Sequence, residues 1–344
     1  MDLSDRKLKI LEAIVDNYVT TGEPVSSKTL CQVLDTPLSS ATIRNEMAEL
    51  TELGLLEQPH TSAGRVPSHL GYRLYINTLM HRRPLTNSDQ ALINNALKSS
   101  LNDPEELIEG ALEVLADLSK CAVAFVLPLN KSMCIKSVQI VSISKHAGIL
   151  IFVTSCGNMK SKMFYSNCDL GEEVVEVSSK ALNEIFENIP VEKITRQFIQ
   201  SIAAKLGDMM FILSPMLVAI YEAASELHEI NVMKEGQHNL LFMPEFRESK
   251  LARKAIDFLD KDDEIADLLL NTTNNATQVL IGQESNVDEL SDLSIIISKC
   301  ALSHEDCGAI SIIGPTRMDY GKMISSLEYL SSVIENIFKD IWGL

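Results

Sequence analysis

The sequence predicts an α+β protein of several domains: a small N-terminal unit of three helices and a hairpin, then an α/β domain that carries an insertion. The chain has 344 residues, which is more than one ordinary domain contains. Strand-like runs, a helical block and further strand-like runs follow the N-terminal unit in that order. An apolar fraction of 46% and a charged fraction of 22% are typical of globular proteins, so extensive disorder is excluded.

The first predicted helix carries an apolar stripe at helical spacing from Leu8 to Tyr18. Ser4 or Asp5 can cap its start, because a short polar side chain accepts a hydrogen bond from a free backbone N–H group. Gly22 ends this helix, and a short second helix follows it.

The third predicted helix opens at Ser39 or Ser40 and buries Ile43, Met47 and Leu50. At about 100° per residue, the opposite face carries Ala41, Arg44, Asn45 and Ala48. Small residues with an arginine and an asparagine near the helix start are what reading a DNA major groove requires. This helix is therefore the candidate recognition helix.

A polar loop from Pro59 to Pro67 follows the third helix and a short strand at residues 55–57. The loop contains no acidic residue, and its hydroxyls and the Arg65 guanidinium suit contacts with phosphate or with a groove. The alternative is a plain surface hairpin with Gly64 in its turn, and composition alone leaves both interpretations open.

The remainder of the chain is predicted as helices, strands, helices, strands and a final helix. Helices are predicted over 88–101 and 103–119, and strands over 122–127, 135–143, 148–154 and 162–165. Helices continue from 171 to 221 and beyond, and the last elements are strands over 278–281, 294–298 and 309–313 and a helix over 317–338.

The net charge of −17 argues against a general polyanion binder. Residues 1–83 carry nine basic and ten acidic side chains, and residues 58–88 contain no acid, so any nucleic-acid footprint must be local and N-terminal. No membrane-spanning or secretory segment is predicted. Seven scattered cysteines without a CxxC pair indicate reduced thiols in a cytoplasmic protein.

Several short motifs resemble those of the heat-inducible transcription repressor family, HrcA. The N-terminal ones are EPV at 23–25, SSATIRN at 39–45, GLL at 54–56, PHTSAGR at 59–65 and GYR at 71–73. The later ones are NLL at 239–241, PEF at 244–246, IGQE at 281–284 and IGPTRMDY at 313–320. Departures are small: Ser26, the run 68–70 and Cys300 differ from the common pattern.

The resemblance implies a dimeric repressor of chaperone operons that binds CIRCE, an inverted-repeat operator in double-stranded DNA, and loses activity when the GroE chaperonin is titrated by unfolded proteins. It implies a winged helix-turn-helix domain over 1–83, a GAF-like α/β domain in two parts over 84–170 and 261–344, and an inserted, largely helical dimerisation domain over 171–260. With the chemistry of the third helix and loop, it predicts DNA contacts by Ser39, Ser40, Thr42, Arg44, Asn45, His60, Thr61, Ser62 and Arg65.

Other chemistries are weighed against this interpretation. Cys300, His304 and Cys307 could ligate zinc, but no fourth ligand is evident and core thiols explain the cysteines as well. The turn at 313–317 could bind an anion, although it lacks the P-loop pattern and Pro315 suits helix initiation.

No catalytic residue set and no cofactor motif is predicted, so we expect a protein that is not an enzyme. Two alternatives stay open: a small-molecule sensor that uses the GAF-like domain, and a nucleotide-dependent enzyme, against which the missing phosphate motifs argue.

Overall fold

The computed structural model describes residues 3–34, 39–60, 63–101, 103–127, 133–155, 159–227, 231–247, 249–271, 277–302 and 307–342. The chain divides into two compact units, one formed by residues 1–127 and 232–344 and the other by residues 128–231. In the first unit we call residues 3–83 the head and the rest the body. Residues 128–231 are the inserted unit.

The head contains three helices, a short hairpin and a fourth helix. These are α1 (Asp5–Thr21), α2 (Ser27–Val33), α3 (Ser40–Glu52), strands β1 (Leu56–Glu57) and β2 (Val66–Pro67), and α4 (His69–Leu74), which continues as a π-helical turn over Tyr75–Leu79. Ser4 caps α1, and Gly22, at φ +73°, ends it with its N–H bonded to the Tyr18 carbonyl. The predicted three helices and hairpin are confirmed.

Burial of apolar stripes holds the head helices together. Ile10 and Ile14 of α1 are fully buried with Leu30 of α2 and with Ile43 and Leu50 of α3. Each fully buried aliphatic side chain stabilises the fold by about 1.5–3 kcal/mol relative to exposure. The stripe predicted for α3 is therefore its core face.

The body begins with two helices that pack together and a buried strand. They are α5 (Asn87–Lys98), α6 (Pro104–Ser119) and β3 (Ala122–Leu127). Asp103 caps α6 and Pro104 occupies its first turn, where a missing N–H costs no hydrogen bond.

The inserted unit is a three-stranded antiparallel sheet with helices. Its elements are β4 (Ile135–Ser144), β5 (Ala147–Thr154), β6 (Met159–Tyr165), α7 (Glu172–Phe186), α8 (Arg196–Ala203) and α9 (Met210–Glu226). The sheet has the order β4-β5-β6, and α7 and α9 pack on it around a core of their own that includes Leu150, Phe152 and Ile220.

The chain then completes the body. Its elements are β7 (Asn231–Glu235), α10 (Ser249–Leu259), α11 (Asp262–Leu270), β8 (Gln278–Ile281), β9 (Leu293–Ala301), β10 (Cys307–Pro315) and α12 (Tyr320–Trp342). The body sheet has the order β7-β3-β10-β9-β8, and α12 packs against β9, β10 and α6. Among the described helices, none is both long and apolar enough to cross a membrane.

The boundaries of the inserted unit differ from the predicted limits of 171 and 260. Strands β4 to β6, predicted as part of the 84–170 segment, form a separate sheet with the insertion's helices. Residues 232–260, predicted as insertion, belong to the body because β7 pairs beside β3. A strand's apolar pattern marks which side chains are buried, but it does not identify the partner strand.

Candidate nucleic-acid interface

The start of α3 is held by serine and threonine hydroxyls. Ser39 Oγ accepts from the Thr42 backbone N–H at 3.1 Å and lies 2.9 Å from Thr42 Oγ1. Ser40 Oγ lies 3.0 Å from Ser27 Oγ, which joins the starts of α2 and α3. Of these three predicted DNA contacts, Ser39 is therefore the cap of α3, Thr42 supplies the N–H that it caps, and Ser40 bonds to α2.

The two faces of α3 separate as predicted. Ile43, Met47 and Leu50 are buried, while Arg44 and Asn45 are exposed. Within the described part of the chain, neither the Arg44 nor the Asn45 side chain forms a hydrogen bond or an ion pair. Both side chains can therefore form all of their hydrogen bonds with an external partner. In a DNA major groove, arginine bonds to guanine and asparagine bonds to adenine.

Two of the three carboxylates of α3, those of Glu46 and Glu49, are paired with cations of α1. Glu46 lies 3.3 Å from the Arg6 guanidinium and 3.4 Å from Lys7 Nζ, and Glu49 lies 2.8 Å from Lys7 Nζ. The hydrogen bond from Lys7 to Glu49 is the main cause that raises the pKa of Lys7. This pairing lowers the repulsion that α3 carboxylates would exert on DNA phosphates.

The wing is a short hairpin that is hydrogen-bonded to the segment between α1 and α2. Leu56 pairs with Pro67 and Glu57 with Val66 in β1 and β2. Arg65 exchanges two backbone hydrogen bonds with Val25, at 2.9 and 2.8 Å.

The side chains of the loop fall into three groups. The Arg65 side chain is half-buried, and its Nε donates to Thr51 Oγ1 at the end of α3 at 3.0 Å, so it lies beside the recognition helix rather than at the loop tip. His60 is exposed. Thr61 and Ser62 lie outside the described residues.

The other arginines of the acid-free segment bind the body instead. Arg73 pairs with Glu284, Arg82 with Glu328, and Arg83 with Asp319 at 2.9 Å. The sequence alone groups these arginines with Arg65, because charge composition does not show which cations are neutralised within the fold.

Cys300 and Arg317 have structural roles within the body and at its contact with α1. Cys300 is buried, and burial raises its pKa, while its Sγ lies 3.7 Å from the Ser331 carbonyl. His304 lies outside the described residues, and among those described no three acidic, histidine or cysteine side chains are grouped to hold a metal ion. Arg317 contacts Glu245 and the Val19 carbonyl, and α12 begins at Tyr320 rather than at 317.

Two family models match the chain. The model described as "Winged helix-turn-helix transcription repressor, HrcA DNA-binding" matches residues 2–79, and the model described as "HrcA protein C terminal domain" matches residues 105–324. The first match covers the capped α3 and the wing, and together the two matches span most of the chain.

Curated relatives agree over full length. A heat-inducible transcription repressor HrcA from Ruminiclostridium cellulolyticum is 36% identical over 337 residues, which cover 97% of each chain. One from Acetivibrio thermocellus is 33% identical over 351 residues, covering both chains completely. A crystal structure described as a hypothetical protein is 25% identical with a TM-score of 0.69, and the match covers 98% of each chain.

Proposed function

Because the chain belongs to the HrcA family of heat-inducible transcription repressors, we propose that it represses chaperone operons as a dimer bound to an inverted-repeat operator of the CIRCE type. The proposed DNA contact rests on helix α3. Its start is capped, and its exposed face holds Arg44 and Asn45, whose side chains have no partner among the described residues. A helix of this kind beside a wing suits a major groove, with Arg65 toward the phosphates.

The direct test is footprinting of the purified chain on promoter regions of its host's chaperone operons, with a scrambled repeat as the control DNA. We expect protection of two inverted half-sites whose centres lie about one helical turn, or a multiple of it, apart. Equal protection of the scrambled DNA, or none on either, would contradict the proposal.

We also propose that the chain forms a dimer through the outer face of the β4-β5-β6 sheet. Val141, Ile149 and Met163 stand opposite one another across the three strands of this face. Met163 and Tyr165 are 56% and 73% exposed. The inner face of the sheet is apolar and is covered by α7 and α9. The outer face is apolar as well, and we propose that it packs against the same face of a second copy of the chain.

The third element of the proposal is control by the GroE chaperonin. Long apolar runs such as Met216–Ile220 are largely buried in the inserted unit and would be exposed in an incompletely folded chain, which is the kind of surface a chaperonin binds. Unfolded cellular proteins would then compete for chaperonin and lower the amount of active repressor.

A small-molecule sensor is the alternative, favoured by one cleft between head and body. The cleft has a volume of about 610 Å³, and its polar lining includes Arg73, Arg82, Gln278 and Glu284. A thermal-shift screen distinguishes the two functions, because a ligand at 100 times its dissociation constant adds about 2.7 kcal/mol to the stability.

A further inference from the structure

Three body motifs that are far from α3 in sequence meet at one surface against the head. They are residues 244–246, 281–284 and 313–320. Glu284 and Arg317 contact the head directly, and Glu245 pairs with Arg317. We call the surface the head–body junction; it joins α1 and α4 to the body. None of these side chains belongs to the candidate DNA interface.

Arg73 forms the first half of the junction. Its Nε donates to Glu284 Oε1 at 2.8 Å, a terminal nitrogen contacts Glu284 Oε2, and the same nitrogen donates to the Val279 carbonyl at 2.7 Å. The Ile281 backbone N–H also donates to Glu284 Oε2 at 2.9 Å. A bidentate arginine–carboxylate pair with a further carbonyl fixes direction as well as distance.

Arg317 forms the second half. Its side chain is 19% exposed and donates to Glu245 and, at 2.9 Å, to the Val19 carbonyl in the last turn of α1. Gly22 ends α1 against this guanidinium: a Cβ there would lie 3.5 Å from the central carbon of Arg317. A cation near a helix C-terminus interacts favourably with the helix dipole.

The covalent connection cannot fix the head by itself. Residues 80–86 are neither helix nor strand. Arg82 and Arg83 attach this segment to the body through Glu328 and Asp319, so the direction of the head helices depends on the contacts that those helices make across the junction. The ring of Tyr72 of the head and the ring of Tyr320 of the body also meet edge to face, with centroids 5.9 Å apart. The backbone of Gly282 approaches the His69 ring so closely that a Cβ would lie 2.4 Å away.

We propose that Arg73 and Arg317 are positioning residues that fix the direction of α3 relative to the body, and thereby set the half-site spacing that a dimer accepts. This rests on the proposed function. DNA half-sites rotate by about one turn every 10–10.5 base pairs, so a dimer with rigidly held heads is selective for spacing, whereas loosely held heads tolerate several spacings. Avidity depends on both heads reaching their half-sites together.

The first experiment measures the junction without DNA. Spin labels are attached through unnatural amino acids at Lys28 of the head and Glu109 of the body, both exposed, and labelled chains are diluted with unlabelled ones. Arg73→Ala and Arg317→Ala should each broaden the distribution of label distances. A distribution as narrow as that of the unsubstituted chain in both variants would overturn the proposal.

The second experiment measures the consequence. Affinity is titrated against duplexes whose two half-sites are moved apart one base pair at a time, and against a single half-site. Both variants should lose about tenfold or more at the preferred spacing and show a flatter profile, with single half-site affinity unchanged. An unchanged profile, or an equal loss on the single half-site, would overturn the proposal.

Two controls keep these results interpretable. Arg253→Ala removes an exposed arginine that pairs with Asp257 on its own helix and does not cross the junction, so it should change neither measurement. If an alanine variant unfolds, Arg73→Lys and Arg317→Lys keep the charge but lose the planar fork, and they should broaden the distances to a smaller extent. Failure of the unsubstituted chain to bind any repeat would contradict the proposed function alone, since the distance measurement still tests the junction.

Discussion

Arg44 is the residue on which operator selectivity should depend most. It is exposed, and its side chain is unpaired within the described residues, so Arg44→Ala removes no contact of the folded head that the structure describes. A bidentate arginine–guanine contact contributes about 1–3 kcal/mol of discrimination. We expect the ratio of specific to nonspecific binding to fall while the melting temperature stays within about a degree or two of the unsubstituted chain. An unchanged ratio would mean that α3 is not the reading helix.

Arg65 should contribute to affinity more than to selectivity. Its Nε is already bonded to Thr51, but the other guanidinium N–H groups have no partner among the described residues. Arg65→Ala should weaken binding to all sequences and make the plot of log affinity against log salt shallower by about 0.9 for each phosphate that the guanidinium neutralises. Titrations at several salt concentrations on specific and random DNA measure this. A changed base preference at constant slope would instead place Arg65 at a base edge.

The position of the wing hairpin depends on the absence of a side chain at residue 64. A Cβ on Gly64 would lie 2.4 Å from the Val25 carbonyl oxygen, closer than any real Cβ contact. Gly64→Ala should therefore push the wing from the head and destabilise it by about 1–3 kcal/mol. Hydrogen exchange of head peptides measures the loss. Gly171→Ala is the matched control, because a Cβ there meets nothing within 4 Å.

The outer sheet face of the inserted unit is the element on which assembly should depend. Met163→Lys places a charge on the edge strand β6 of this face, opposite Ile149 of the central strand, without touching the inner core. Burying an unpaired charge in an interface is costly, so we expect monomers by sedimentation with the single half-site affinity retained. Glu173→Lys, an exposed change on α7, should leave the dimer intact. A Met163→Lys chain that remains dimeric would place the interface elsewhere.

Elements with a strong local pattern could be predicted from the sequence. Strands β3 and β8 have the predicted limits, and α6 begins one residue from its predicted start, because their burial pattern and caps are local. Strand β7 could not be predicted, because its residues show no alternation of buried and exposed positions. Helix α12 starts three residues late, since Asp319 Oδ1 accepts from the Lys322 N–H and caps it there.

Part of the candidate site could likewise be predicted from the sequence, and part of it could not. The exposed face of α3 follows from helical period, and so its residues could be named from sequence. The roles of Arg73, Arg82 and Arg83 could not, because their partners lie more than 200 residues away. Long-range pairing depends on the completed fold, and an arginine that binds a body carboxylate has the same local sequence signal as one that binds phosphate.

The distribution of charge over the chain favours the proposed dimer. The head is nearly neutral, three of its arginines are paired with body carboxylates, and the rest of the chain carries almost all of the net charge of −17. A single head therefore has little long-range attraction to DNA, and useful affinity requires two heads acting together. We therefore expect repression to follow the amount of assembled dimer.

Assembly of the chain should in turn depend on chaperonin. The inserted unit exposes Met159, Met163, Tyr165 and Phe211 on its surface, so a chain that has not assembled should aggregate slowly and lose operator binding. Adding GroE chaperonin and ATP should raise the fraction of chain that binds operator, and adding an unfolded competitor protein should reverse the gain by mass action. Operator titrations with and without these additions, before and after heating, measure the active fraction. The Met163→Lys chain serves as the comparison: if it is monomeric, we expect chaperonin to restore its solubility but not its two-site binding. If the purified chain is already fully active and chaperonin changes neither its active fraction nor its recovery after heating, control must act through a ligand or through temperature directly.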